Sequence, residues 1–203
     1  MPGLPHILFL LYKSTLCFVM SSFVLAGCSG ESEPFEKKSF TPDTQVNGIN
    51  LDVRDRKIEV ILSEDEQVHI QYSENSKEYY DISVSDGNIL TMENAGNKKW
   101  TDYIGVKPSA EDRKILLQVP NALLDTVTLS TTNEDISLPT LAVTENINIS
   151  ANGGNITFEN LDIGNTLTLT VKNGNISGAI TGSYDDFAIQ TEIKKRQEQF
   201  ARQ

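Results

Sequence analysis

The sequence predicts an all-β chain organised as a parallel β-solenoid with coils of about 20 residues, and three observations carry that prediction. The segments TTNEDI, ANGGNI and VKNGNI end at Ile136, Ile156 and Ile176, so one turn returns every 20 residues without an insertion. Superposing the three units gives the columns Val127/Ile147/Leu167, Leu129/Ile149/Leu169, Thr131/Ala151/Val171, Ile136/Ile156/Ile176, Leu138/Phe158/Gly178, Leu141/Leu161/Thr181 and Val143/Ile163/Ser183. Of these 21 positions 17 are apolar, the exceptions being Thr131, Gly178, Thr181 and Ser183. Between the apolar residues stand Thr, Ser and Asn, the period of two that marks a strand with one buried face. A constant step is what stacked coils need, because each residue must lie about 4.8 Å from its equivalent, whereas hairpins tolerate unequal loops. An antiparallel β-sandwich is the alternative: Asn173-Gly174 between alternating runs is a hairpin signal and would set Val171 opposite Ile176.

At the N-terminus, residues 14–27 form an apolar run between Lys13 and Cys28, too short to span a bilayer and suited to a secretory signal. The string Leu25-Ala26-Gly27-Cys28 resembles the lipobox of bacterial lipoproteins. That resemblance implies cleavage after residue 27 and a diacylglyceryl group, with its palmitate-type chains, on Cys28. Two or three chains at about 0.8 kcal/mol per buried methylene hold such an anchor in the membrane. An uncleaved span from Leu4 to Gly27 would instead place Lys13 within the bilayer, at a cost of about 2.5 kcal/mol or more. Residues 28–47 follow as the lipidated cysteine and a flexible tether rich in Ser, Glu, Lys and Pro.

Residues 48–118 read as an N-terminal β cap that covers the open end of the solenoid and shares its core. Alternating runs occur at Ile58–Leu62, Val68–Tyr72 and Tyr80–Val84, and the turn Ser85-Asp86-Gly87-Asn88 resembles the repeat turns. The irregular insert GNKKWTDYIGVKPSAEDRK precedes Ile115–Pro120, which leads into the regular repeats of 119–186. Each repeat holds three short strands, in the first unit 127–131, 136–138 and 141–143. Asn, Asp and Gly at the turn positions 133–135, 153–155 and 173–175 accept positive φ or close their own side-chain turns. The solenoid domain is placed at 48–193, with 194–203 as a polar, helix-compatible tail.

The lead-in Leu117-Gln118-Val119-Pro120, then Thr126-Val127-Thr128-Leu129 and the recurrent Asn-Gly-Asn-Ile turns, resemble the bacterial β-strand-repeat family known as putative adhesins, a domain of unknown function. The resemblance covers roughly residues 47–193 and implies a right-handed parallel β-solenoid, the hand expected of parallel crossovers. It brings no catalytic residues.

A net charge of −11, from 17 Lys+Arg against 28 Asp+Glu, argues against nucleic acid, whose binding depends on clustered basic residues. Removing residues 1–27 takes away Lys13 and Cys17, leaving 16 basic against 28 acidic residues and no cysteine pair. Between Ile115 and Ile189 the one basic residue is Lys172, which leaves a polysaccharide-lyase site on the repeat faces without its base. The stacked turn column Asp135/Asn155/Asn175 offers one carboxylate, too few for a calcium cage. His69 has neither a cysteine nor a second histidine near it in sequence to complete a metal or catalytic set. No enzyme activity, metal or cofactor is expected. Trp100 and Tyr103, flanked by Lys98, Lys99 and Lys107, are the candidate binding residues, as an aromatic platform for a glycan or a protein ligand. The expected function is that of an envelope-anchored binding module or adhesin, lipid-anchored on the extracytoplasmic face of a bacterial cell membrane. The alternative is a partner or regulatory subunit of an envelope-stress or transport system.

Overall fold

The computed structural model describes residues 33–96, 107–121 and 124–182. The chain divides into two compact units, Met1–Ser32 and Glu33–Gln203, and all described residues belong to the second. They form thirteen strands and no helix: β1 (Glu36–Phe40), β2 (Gly48–Asp52), β3 (Lys57–Leu62), β4 (His69–Glu74), β5 (Tyr80–Val84), β6 (Ile89–Asn94), β7 (Lys114–Val119), β8 (Leu124–Thr131), β9 (Ile136–Leu138), β10 (Leu141–Gly153), β11 (Ile156–Ile163), β12 (Thr166–Asn173) and β13 (Ile176–Ile180).

The pairing is that of a parallel solenoid. Strands β8, β10 and β12 align Val127, Ile147 and Leu167, and β9, β11 and β13 align Ile136, Ile156 and Ile176, so the 20-residue sequence step is the physical step between rungs. The sandwich alternative fails on the same registers, because Val171 pairs with Ala151 and Ile176 with Ile156. The local Asn-Gly signal is real, but apolar residues find more buried surface above and below than across a hairpin, and stacking decides.

The same two columns run on into the N-terminal half. β2 pairs in parallel with β8 (Ile49 with Val127) and β3 with β9 (Ile58 with Ile136). Beyond them β6 pairs with β2 (Leu90 with Ile49) and β7 with β3 (Ile115 with Ile58). One wall of the core is therefore a stack of five isoleucines, Ile115, Ile58, Ile136, Ile156 and Ile176. The facing wall stacks Leu90, Ile49, Val127, Ile147 and Leu167. Strands β2 and β3, and β6 and β7, thus make two further rungs where a cap was expected. Capping falls to the antiparallel strands, β4 on β7 with β1 outside it, and β5 on β6.

Two further differences from the sequence reading follow from this arrangement. The turn Ser85–Ile89, which looks like a repeat turn, closes the β5–β6 hairpin, with Asn88 at φ 57° and its N–H donating to Ser85 O at 2.9 Å. Asx and Gly chemistry permits a tight turn without fixing what the next strand pairs with. Residues 36–40, within the stretch read as tether, form the edge strand β1; Glu36, Lys37 and Lys38 are exposed there and Phe40 packs against the core. Charges on an edge strand deter pairing with another chain.

Candidate functional site

Alternation along β8, β10 and β12 sends Val127, Leu129, Ile147 and Ile149 inward and aims the residues between them outward. The outward set is Thr126, Thr128 and Ser130, then Asn146, Asn148 and Ser150, then Thr166, Thr168 and Thr170, held in register as three columns of three. All nine are half-buried or exposed and none carries a charge. Among the described residues the one side-chain hydrogen bond made by any of the nine is Asn165 Nδ2 donating to Asn146 Oδ1 at 3.3 Å. The other hydroxyls and the Asn148 amide present their donors and acceptors to solvent, repeated about every 4.8 Å across the strands. Charge returns at the margins: Asp52 and Glu93 continue the Ser130 column at the N-terminal side, and the exposed Lys172 is the next outward residue after Thr170 on β12. Gly48 lets the margin pack: a Cβ there would lie 2.6 Å from Thr126 Oγ1.

The opposite outer face has the same period and different chemistry. Asn155 N–H donates to Asp135 Oδ1 at 2.7 Å, and Asn175 N–H donates to Asn155 Oδ1 at 3.1 Å. The Asn155 and Asn175 amides donate to the same oxygens at 3.2 and 3.3 Å. This ladder lines a groove of about 390 Å³ with Lys57, Ser137, Thr157 and Ser177. Its amides are consumed by one another and by the corners they close, which leaves less for a ligand. At its N-terminal end Glu59 accepts from Lys114 Nζ at 2.9 Å with Lys57 Nζ at 3.7 Å, and the hydrogen bond from Lys114 holds the Glu59 carboxyl below the usual carboxylate range.

Sequence reasoning left His69 without partners, whereas the structure gives it two. Thr41 Oγ1 lies 2.8 Å from His69 Nδ1, and Asp65 Oδ1 lies 2.8 Å from Nε2. The three sit beside a cleft of about 640 Å³ lined by Thr41–Val46, Glu66–Val68, Pro120 and Leu124. These contacts tie the β3–β4 turn to the segment after β1.

Arg56 was equally invisible as a core residue. It is 3% exposed, donates to Tyr80 Oη at 2.6 Å and to Glu78 Oε2 at 2.7 Å, and burial pushes the Tyr80 phenol up. A basic residue at the corner between β2 and β3 carries no sequence signal of this burial, because its partners come from elsewhere in the chain, Glu78 from the turn after β4 and Tyr80 from the start of β5.

Among the described residues no group of three or more His, Cys, Asp or Glu could hold a metal ion, and no helix is long and apolar enough to cross a membrane. Cys28, the expected lipidation site, and Trp100 and Tyr103, the expected binding residues, lie outside the described residues.

Residues 46–185 match the family model described as Toastrack DUF4097. No curated protein matches the chain. Among solved structures, a "putative cell adhesion protein" from Clostridium sporogenes aligns at 9% identity over 73% of this chain and 100% of its own, with a TM-score of 0.44. A "putative adhesin" from Parabacteroides distasonis aligns at 13% identity over 73% of this chain and 70% of its own, with a TM-score of 0.34. One from Bacteroides fragilis aligns at 12% identity over 72% and 98%, with a TM-score of 0.28.

Proposed function

The chain belongs to the Toastrack DUF4097 family, and on that premise we propose that it is a non-enzymatic binding module of the bacterial cell envelope, anchored through lipidated Cys28, whose contact surface is the neutral face of β8, β10 and β12. The observation that carries this reading is the absence of charge from all nine outward positions in a chain with 28 Asp+Glu and 17 Lys+Arg. Acidic residues repel anionic ligands over about 8–10 Å at physiological salt, so a surface meant for neutral, hydroxyl-rich chains gains by excluding them. The rung spacing of about 4.8 Å is close to the length of one sugar along an extended glycan, so successive residues of a neutral polysaccharide can meet equivalent donors and acceptors. Each net hydrogen bond contributes about 0.5–1.5 kcal/mol, which makes a single site weak and repeated engagement effective.

Trp100 and Tyr103 are a second proposed contact, an aromatic platform for a glycan or a protein ligand. The test is retention of the anchored protein and of its Asn148→Asp and Thr168→Asp variants on a panel of neutral and anionic glycans. Retention on neutral glycans that both variants lose supports the reading. Retention unaffected by both variants overturns the assignment of the face, and capture of one defined membrane protein in place of glycan moves the function to the partner-subunit reading. Cys28→Ser, read by loss of labelled fatty acid, tests the anchor separately.

A further inference from the structure

The middle column of the neutral face, Thr128, Asn148 and Thr168, does not stop at the repeats. Thr128 pairs with Asn50 of β2, Asn50 with Thr91 of β6, and Thr91 with Ser83 of β5. Six adjacent strands therefore each place one hydroxyl or amide in a single line, about 24 Å long at a strand spacing of about 4.8 Å. The neighbours of each along its own strand point inward, as Ile49 and Leu51 do around Asn50 and Leu90 and Met92 around Thr91, so the line faces outward. Among the described residues none of the six side chains hydrogen-bonds to another protein group. The columns on either side differ from each other. One begins with Ile89, 41% exposed, and Gly48 before it reaches Thr126. The other begins with the exposed carboxylates Asp81, Glu93 and Asp52 before it reaches Ser130.

We infer that this six-strand line is the track for one unbranched, uncharged glycan, which crosses the strands with one sugar on each. The inference rests on the glycan-binding reading above and adds to it the direction, the length and the charge of the ligand. The direction follows from spacing and charge together. A chain laid along a strand finds outward groups only about 6.7 Å apart. In the N-terminal half it also meets a carboxylate at the next outward position, Asp52 after Asn50, Glu93 after Thr91 and Asp81 before Ser83. A chain that crosses the strands meets a fresh, unpartnered donor or acceptor at every step and stays on uncharged residues throughout. The length follows from the row, which has six positions and so uses about six sugars. The charge follows from the acidic column, one outward position away at about 6.7 Å. Repulsion from Asp81, Glu93 and Asp52 reaches about 8 Å at physiological salt, so chains bearing uronic acids or sulfates are turned away.

The test titrates the full chain with unbranched β-1,4-linked oligomers of glucose and of N-acetylglucosamine, from two to eight residues long. The expected result is an affinity that rises about two- to tenfold with each added residue and levels off at about six. This measurement needs no substitution, so it stands even where a variant fails to fold. Asn50→Asp and Thr91→Asp, both outside β8, β10 and β12, should each weaken the six-residue oligomer by about tenfold or more, while Thr157→Asp on the opposite face leaves binding unchanged. Glucuronic-acid oligomers of equal length should bind about tenfold more weakly than neutral ones, with the gap narrowed by Glu93→Gln. A plateau at two or three residues overturns the track, as does binding that Asn148→Asp abolishes and Asn50→Asp and Thr91→Asp leave intact; either result leaves the contact face of the repeats standing. Equal or tighter binding of the acidic oligomers overturns the charge assignment. If neither neutral series binds, the track is overturned, and the glycan reading falls with it only where the glycan panel shows no retention either.

Discussion

Ile136 and Ile176 occupy the same register position of the same repeat, yet Ile136 is fully buried and Ile176 is 43% exposed. The difference is one neighbouring rung. Ile136 has Ile58 on one side and Ile156 on the other, whereas Ile176 has Ile156 alone among the described residues. Burial in this fold is conferred by the rungs on either side and not by the residue or its local sequence, the nearest-neighbour behaviour expected of stacked repeats. The isoleucine column expected from the sequence is real, and it is deeper at the N-terminal end and shallower at the C-terminal end than the three repeats alone suggest. Gly178 belongs to the same asymmetry: a Cβ there would lie 2.1 Å from the Phe158 ring, so the last rung gives up a side chain and that ring closes the space instead.

The comparison breaks most visibly with an aspartate. Ile136→Asp and Ile156→Asp should each unfold the domain or nearly so, because an unpaired buried charge costs several kcal/mol out of a typical total of about 5–15 kcal/mol. Ile176→Asp should cost about 1 kcal/mol or less, in keeping with a surface change. Denaturant titration of the three variants checks this, and equal losses would show that position in the stack does not control burial.

A smaller effect separates how the two ends are closed. At the N-terminal end, Arg56 joins the corner between β2 and β3 to Glu78 and Tyr80 of the cap. Arg56→Met should destabilise by about 3 kcal/mol, since it strands the partners of a buried ion pair. The loss should appear as early unfolding of β4 and β5 in hydrogen exchange, with β10 and β11 protected longest.

The smallest effect is a pH dependence. Glu59 has its folded-state pKa depressed, chiefly by the hydrogen bond from Lys114, so its stabilisation is present above the unfolded carboxylate pKa and is lost as pH falls through the lower folded value. Glu59→Gln should flatten the acid limb of the stability profile slightly and leave stability against pH above neutrality with the same slope. Thermal scans from acid to neutral pH measure it.

Much of the N-terminal half was legible in principle. Ile49-Asn50-Leu51 is followed by Ile58 nine positions after Ile49, the interval that separates Val127 from Ile136, Ile147 from Ile156 and Leu167 from Ile176. The signal is hidden because the cap strands intervene before the next rung, and because Leu90 and Ile115, the matching residues of that rung, stand 25 positions apart in sequence and not nine. Of the candidate site, the polar Thr/Asn character of the repeats was readable. That nine adjacent outward positions are free of charge, with Lys172, Asp52 and Glu93 only at their margins, required the register.

The sequence by itself determined the period, the inward columns, the turn positions and the acidic balance, because each is a local pattern that backbone geometry converts directly into a strand face or a corner. The tertiary structure alone decided that the rungs stack out of chain order, with β2 and β3 between the rung of β6 and β7 and the rung of β8 and β9. It alone decided that Ser85–Ile89 closes a hairpin, that Arg56 is buried and that Ile176 is open. Each of these depends on which surface lies beside a residue, and the local spacing of a segment does not record that.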